Sequence, residues 1–163
     1  WSPWRSEYIE SFKSDEDKTQ CIFCLMLDLN PLDTDNLLVD KGEYTFTLLN
    51  LYPYNNGHLM VVPKRHTSDF SSLTIDEISE SIQKLQLAEK ALQKVFSPHG
   101  FNIGANIGRV AGAGIEDHIH FHIVPRWTGD SNFMPVIGDV KVISQDLADT
   151  KTKLLAAYSS LIK

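Results

Sequence analysis

The sequence predicts an α+β fold, and three observations carry that prediction. Strand-length runs of apolar and β-branched residues occur three or more times, a long segment after Thr74 repeats its apolar residues at helical spacing, and a separate helical pattern closes the chain. With 163 residues, 42% hydrophobic and 22% charged, the chain is of single-domain size, and residues 1–163 are expected to form one domain with a real core.

Taken in order, residues 13 to 20, KSDEDKTQ, read as an exposed loop after a short N-terminal helix. Tyr44 to Leu49 and His58 to Val62 read as strands, and YPYNNG between them supplies Pro53, Asn55, Asn56 and Gly57 for a turn, so an antiparallel pair is expected. A helix then starts at LTIDEISE, where Thr74 and Glu77 have capping-box spacing. Ile78, Ile82, Leu85, Ala88, Leu92 and Val95 form its expected apolar face, and SPHG from Ser97 to Gly100 ends it. FNIGANIG alternates Phe101, Ile103 and Ala105 against Asn102, Gly104 and Asn106, the pattern of a strand with one polar face. A Gly-rich turn, RVAGAGIED, leads to a histidine-bearing strand. Gln145 to Leu161, with Leu147, Leu154, Leu155, Tyr158 and Leu161, reads as the closing helix.

Several functional classes are disfavoured by bulk properties. The net charge is −6 and no dense basic patch occurs, so no nucleic-acid partner is expected. No apolar run approaches the roughly 20 residues of a membrane helix, and the N-terminus WSPWRSEYIE does not read as a leader, so no membrane partner and a cytoplasmic location are expected. The only cysteines, Cys21 and Cys24 in CIFC, have the spacing of a metal or redox pair.

Residues 117–127, DHIHFHIVPRW, carry the chemistry. In a strand, alternate side chains share a face, which puts His118, His120 and His122 together and turns Ile119, Phe121 and Ile123 into the core. A solvated strand face is the plain alternative for one histidine. Three of the chain's six within five positions favour a site, either for a small anion or for a three-histidine metal centre.

HIHFHIV fits the pattern His-x-His-x-His followed by apolar residues, and VPRW follows it. Together with WSPWRSEYI, CIFC, LLNLYPYNNGHLMVVPKRH, FNIGANIGRVAGAGIEDHIHFHIVPRW and NFMPVIG, it makes the chain resemble the histidine triad (HIT) superfamily, in its bacterial diadenosine tetraphosphate phosphorylase branch. The resemblance implies a HIT-like fold with a five-stranded antiparallel sheet, a long helix and terminal helices. It also implies a homodimer with the long helix near the interface, and a small-molecule nucleotide substrate cleaved through a covalent nucleotidyl-histidine. Carried over residue by residue, the nucleophile is His120, with His122 on the phosphate or leaving group. Asn50 and Asn106 match nucleotide or phosphate contacts, and Ile22, Phe23 and Leu48 match base-pocket positions. Backbone amides of the turn containing Gly112, Gly114 and Ile115 could stabilise developing phosphoryl charge. Where the better-known hydrolases have Gln and then Ser or Thr, this chain has Gly114 and Ile115, which agrees with the phosphorylase-like branch.

In relatives, a Cys-x-x-Cys pair, a histidine after a P-x-x-H strand end and the first triad histidine bind structural zinc. The matching residues are Cys21, Cys24, His66 and His118. His58 matches a position near the active strand with a structural role, and His99 is expected in a solvated loop. Lys64, Arg109 and Arg126 are candidates for an acceptor-phosphate site. Hydrolysis of dinucleoside polyphosphates, hydrolysis of nucleoside phosphoramidates or adenylates, and a nucleotide-binding sensor module are the competing functional expectations.

Overall fold

The structure is a computed structural model that describes residues 21–130 and 145–162. The expected N-terminal helix, the 13–20 loop and NFMPVIG lie outside the described residues. Among those described, a short helix α1 (Ile22–Leu25) precedes strands β1 (Leu38–Lys41), β2 (Thr45–Leu49) and β3 (Leu59–Pro63). The long helix α2 (Ile75–Phe96) is followed by β4 (Gly100–Ala105), β5 (Phe121–Arg126) and α3 (Leu147–Leu161). The five strands form one antiparallel sheet in the order β1-β2-β3-β5-β4, as the α+β expectation required.

Strand alternation divides the interior into two layers. Leu49, Leu59, Val61 and Ile123 face α2 and α3, packing with Leu85, Ala88, Leu92, Leu154 and Tyr158. Phe46, Leu48, Met60 and Val62 face the other way and pack with Phe23 of α1. Both faces of β2 and β3 are buried, and each enclosed large aliphatic side chain contributes about 1.5–3 kcal/mol. Because the side-chain period is two, the pairing of Met60 with His122 fixes which histidines reach the α1 face.

Helix α2 starts as its sequence indicates: Thr74 Oγ1 accepts from the Glu77 amide at 3.2 Å, and Glu77 Oε2 accepts from the Thr74 amide at 2.8 Å. Its buried stripe differs from the expected one. Glu77, Ser81, Leu85, Ala88, Ala91 and Leu92 face inward, whereas Ile78 is 41% exposed and Ile82 is 50% exposed. Inward polar groups are tolerated because each is bonded. Glu77 receives Arg65 at 2.8 Å through both carboxylate oxygens, and Ser81 Oγ donates to the Glu77 carbonyl at 2.7 Å. On the same side of the helix, Glu80 accepts from the amides of Glu43, Tyr44 and Thr45 and from Thr45 Oγ1, holding the β1–β2 turn. A Cβ at Gly42 would fall 1.8 Å from Glu80 Oε1, so a larger residue there would have to displace the carboxylate that holds this turn.

The expected alternation in β4 places Ile103 opposite Ile123 and therefore on the helix side, yet Ile103 is 55% exposed because β4 is a sheet edge. Helix α3 is capped by Asp146, whose side chain accepts from the Ala148 and Asp149 amides. From α3, buried Lys151 donates to the carbonyls of Asp33 and Asn36, and Lys41 similarly donates to those of Leu27 and Leu29. Two ammonium groups thereby tie down the connection between α1 and β1.

The Arg65 guanidinium, followed by the capping bonds, lowers the Glu77 carboxyl from 4.5 to about 2 against the opposing effect of burial. A carboxylate depressed in the folded state stabilises the fold above its unfolded value, and this contribution is lost as pH falls toward the folded value. Glu77→Gln is expected to cost about 1–2 kcal/mol at pH 7, a figure discounted for the half-exposed Arg65 partner. In urea unfolding, the difference from the wild type should shrink as pH falls from 4.5 toward about 2.

Candidate active site and metal centre

The triad does not lie wholly within a strand. β5 begins at Phe121, so only His122 is in the ladder, while His118 lies at a bend and His120 in the short connection that enters it. Alternation nevertheless persists through that segment. The His120 ring is centred 4.8 Å from that of His122, while Phe23 lies 5.4 Å from His118 and 5.1 Å from His120. Solvated strand histidines are ruled out by burial, since His118 is 0% exposed, His120 4% and His122 9%. Ile119 and Ile123 are buried as expected, and Phe121 is half-buried.

Hydrogen bonds assign a different task to each imidazole. His120 Nδ1 lies 2.8 Å from the His118 carbonyl oxygen, which can only accept, so the proton sits on Nδ1 and Nε2 keeps its lone pair. Burial pushes His120 below its ordinary value, only partly opposed by this bond, and the ring is held neutral. His118 Nε2 donates to the Pro63 carbonyl at 2.7 Å, which leaves its Nδ1 as the electron-pair donor. That Nδ1 lies 3.2 Å from Cys21 Sγ and 3.8 Å from Cys24 Sγ.

A third assignment involves a residue that sequence reasoning had given only a structural role. His58, fully buried, accepts the Tyr54 amide on Nδ1 at 3.0 Å, with Asn50 Nδ2 at 3.3 Å from the same atom. Its proton must then reside on Nε2, which lies 2.9 Å from His122 Nδ1. This fixes the His122 proton on Nε2, making that atom a donor. The signal was present in NNGHLM: period two puts His58 on the same face as Met60, but only the Met60–His122 register brings it to the triad.

The remaining candidates surround this centre unevenly. Phe23 and Leu48 are fully enclosed, while Ile22 and Ile115 are half-buried against the same cluster. Asn50 lies beside His58 and also accepts the Tyr52 amide on Oδ1 at 2.9 Å. Asn106 Nδ2 reaches the Gly112 carbonyl at 3.5 Å, across the turn that Gly108 and Gly112 form with φ of 78° and 92°. The Gly112 and Ala113 amides bond within this turn, and the exposed Gly114 follows it.

Of the basic candidates, Arg126 is engaged by Asp130 at 2.7 and 2.8 Å and by Asn102 at 2.7 Å, which gives it a structural anchor. Arg109 is exposed, 4.0 Å from Glu116, and Lys64 is half-buried. His99 is exposed as expected, bonded to Thr128.

Cys21, Cys24, His66 and His118 bring four ligand atoms within 4.8 Å of one another, so the expected metal set is assembled. His66 Nδ1 is 3.4 Å from Cys24 Sγ. Ideal tetrahedral coordination by sulfur and imidazole nitrogen places adjacent ligand atoms about 3.5 Å apart, so the donor set fits a closed four-coordinate ion. Burial and then the neighbouring Cys21 push the Cys24 thiol up, and a bound cation would reverse this by favouring thiolate. His120 and His122 are outside this set, which separates the triad into one candidate ligand and two imidazoles that take no part in the cluster.

With this geometry, comparison with known proteins becomes informative. The HIT domain family matches residues 33–129. The chain belongs to the HIT family. This HIT chain is 42% identical over 162 residues to a Mycobacterium tuberculosis AP-4-A phosphorylase, covering 98% of this chain and 83% of that protein. A Saccharomyces cerevisiae bis(5'-adenosyl)-triphosphatase is 34% identical over 88 residues, covering 53% and 42% of the two chains. Among solved structures, a Zn-bound histidine triad family protein from Mycobacterium smegmatis superimposes with a TM-score of 0.69 at 25% identity, covering 88% of this chain and 96% of that one. A uridylyltransferase shares the fold with a TM-score of 0.71 at 18% identity, covering 98% and 51%.

The HIT-chain geometry predicts that one divalent ion binds per chain and raises the unfolding temperature. Cys24→Ser should lose the ion by elemental analysis, whereas His120→Asn should retain it. Loss in both variants would place His120 among the ligands.

Proposed function

We propose that this protein is an enzyme that cleaves dinucleoside polyphosphates, diadenosine tetraphosphate foremost, by transferring a nucleotidyl group to His120. The observation that carries this reading is the anchored imidazole: with Nδ1–H held by the His118 carbonyl at 2.8 Å, His120 Nε2 has a lone pair at neutral pH. Identity of 42% to a protein named AP-4-A phosphorylase supports the substrate class.

In this reading Nε2 attacks the α-phosphorus, an N–P bond forms and the bond to the bridging oxygen breaks, releasing ATP from diadenosine tetraphosphate. The His118 carbonyl stabilises the positive charge that grows on the His120 ring. The His122 Nε2–H, oriented through His58, donates to a phosphoryl or leaving-group oxygen. The amides of Gly114 and Ile115, which follow the Gly112 turn, meet the other phosphoryl oxygens. Ile22, Ile115 and the wall formed by Phe23 and Leu48 accept the base, with Asn50 and Asn106 toward the ribose or phosphates. An acceptor phosphate then attacks the nucleotidyl-histidine and gives ADP; water in its place gives AMP.

Zinc at Cys21, Cys24, His66 and His118 supplies structural cross-linking in this reading, supported by the donor set and by the Zn-bound relative. The thiolates it requires suit the reducing cytoplasm. Among the described residues no helix is long and apolar enough to cross a membrane.

Residues 1–163 act as one HIT domain that pairs as a homodimer. Ile75, Ile78 and Ile82 leave an exposed apolar stripe on α2, and Phe70 and Ile103 are exposed as well. β4 offers an open edge for joining two sheets, and a partner seated there would cover this surface.

Incubation of diadenosine tetraphosphate with and without inorganic phosphate tests the reaction. ADP plus ATP, formed only with phosphate, is the expected result; AMP plus ATP would identify a hydrolase. His120→Asn should abolish turnover with the fold retained, and near-normal activity would overturn the mechanism. For the dimer, Ile82→Lys is expected to halve the mass measured by light scattering.

A further inference from the structure

Phe23 is the residue between the two cysteines that faces the core, and it is 0% exposed. Its ring meets His118 edge-on at 83°, and it lies against His120 at 5.1 Å with an interplanar angle of 54°. On another side of the His120 ring stands His122, at 75° and 4.8 Å. The nucleophile of the proposed reaction is thus held by one carbonyl bond and flanked by two rings. A histidine's terminal torsion is broad and roughly two-fold, and a half-turn would put Cδ2 on the His118 carbonyl and swing Nε2 to the other edge of the ring, with one hydrogen bond opposing it. Packing must supply the remainder.

We propose that Phe23 is a positioning residue for His120: from helix α1, between the candidate metal ligands Cys21 and Cys24, its ring keeps the imidazole turned with Nδ1 on the His118 carbonyl and Nε2 toward the phosphorus. The inference rests on the reading of His120 as nucleophile, and it adds a role for Phe23 beyond backing a base pocket. Full enclosure supports that addition, because a ring with no exposed surface acts on what already touches it. Two links then run from the Cys/His cluster to His120. One passes through the backbone of His118, and the other through the ring of Phe23.

The test uses Phe23→Leu and Phe23→Met in the metal-loaded protein; both retain an apolar side chain and delete the aromatic edge. Elemental analysis and circular dichroism confirm that the ion and the fold are present. Nitrogen NMR of the labelled His120 imidazole reads its tautomer without reference to activity, and single-turnover measurements read nucleotide transfer to His120 and substrate affinity separately. The wild type is expected to show the Nδ1–H tautomer alone. The variants should show a mixture, with transfer at saturating substrate slowed about tenfold to a hundredfold, the scale of a small misplacement of a reacting group, beyond any change in affinity. A single wild-type tautomer and an unchanged transfer rate in either folded, metal-loaded variant would overturn the proposal. Absence of nucleotidyl-histidine in the wild type would instead overturn the reading of His120 as nucleophile, and the tautomer measurement would still decide whether Phe23 orients the ring.

Discussion

The site depends on one residue used twice. His118 points its imidazole toward the cysteines while its carbonyl receives the proton of His120. A candidate metal ligand and a tautomer-setting acceptor are therefore the same residue, separated by a few covalent bonds. Pro63 completes the arrangement by accepting from His118 Nε2, so the end of β3 sets which His118 nitrogen is available. Change any of these bonds and the next imidazole loses its defined protonation. Proton placement is propagated along the backbone here, with no need for an ionised partner.

A second chain of fixed protons runs from Tyr54 through His58 to His122. The two chains end on opposite chemical characters: His120 is left with a lone pair and His122 with a proton. Such complementarity suits phosphoryl chemistry, in which a nucleophile and an oxyanion donor must coexist a few ångströms apart. Burial favours the neutral ring of His120. The difference between the two rings comes from tautomer selection, because both experience similar burial.

Much of this was legible in the sequence because local rules dominate there. The capping box at Thr74, the strands around YPYNNG and the separation of His118 from its two neighbours by CIFC and PKRH rest on residues close in sequence or on recurrent motifs. The inward stripe of α2 was legible from Leu85 onward, where Leu85, Ala88 and Leu92 are buried as expected, but not in its first turns. Hydrophobicity favours Ile78 and Ile82 as core residues, but Arg65 and the β1–β2 turn draw Glu77 and Glu80 toward the protein instead. Those partners belong to distant segments that no helical periodicity reveals. His58 was legible as a structural neighbour of the active strand, but its bond to His122 was not, since that depends on the β3–β5 register. The short connection entering β5 kept the alternation that a strand would have given, so the triad's facing survived an error in the element boundary.

Lys151 has a consequence for the order in which the chain becomes native. It lies on the last helix, and its ammonium group closes on Asp33 and Asn36, carbonyls more than a hundred residues earlier. The segment linking α1 to the first strand therefore remains short of its final contacts until α3 has docked. The triad and the Cys/His cluster precede that helix in the chain, yet the scaffold beneath them is completed by contacts from α3. A nascent chain still emerging from the ribosome would hold every triad residue and lack this clasp. Long-range closure makes the C-terminal helix a late gatekeeper of assembly, although it contributes none of the triad or candidate metal ligands.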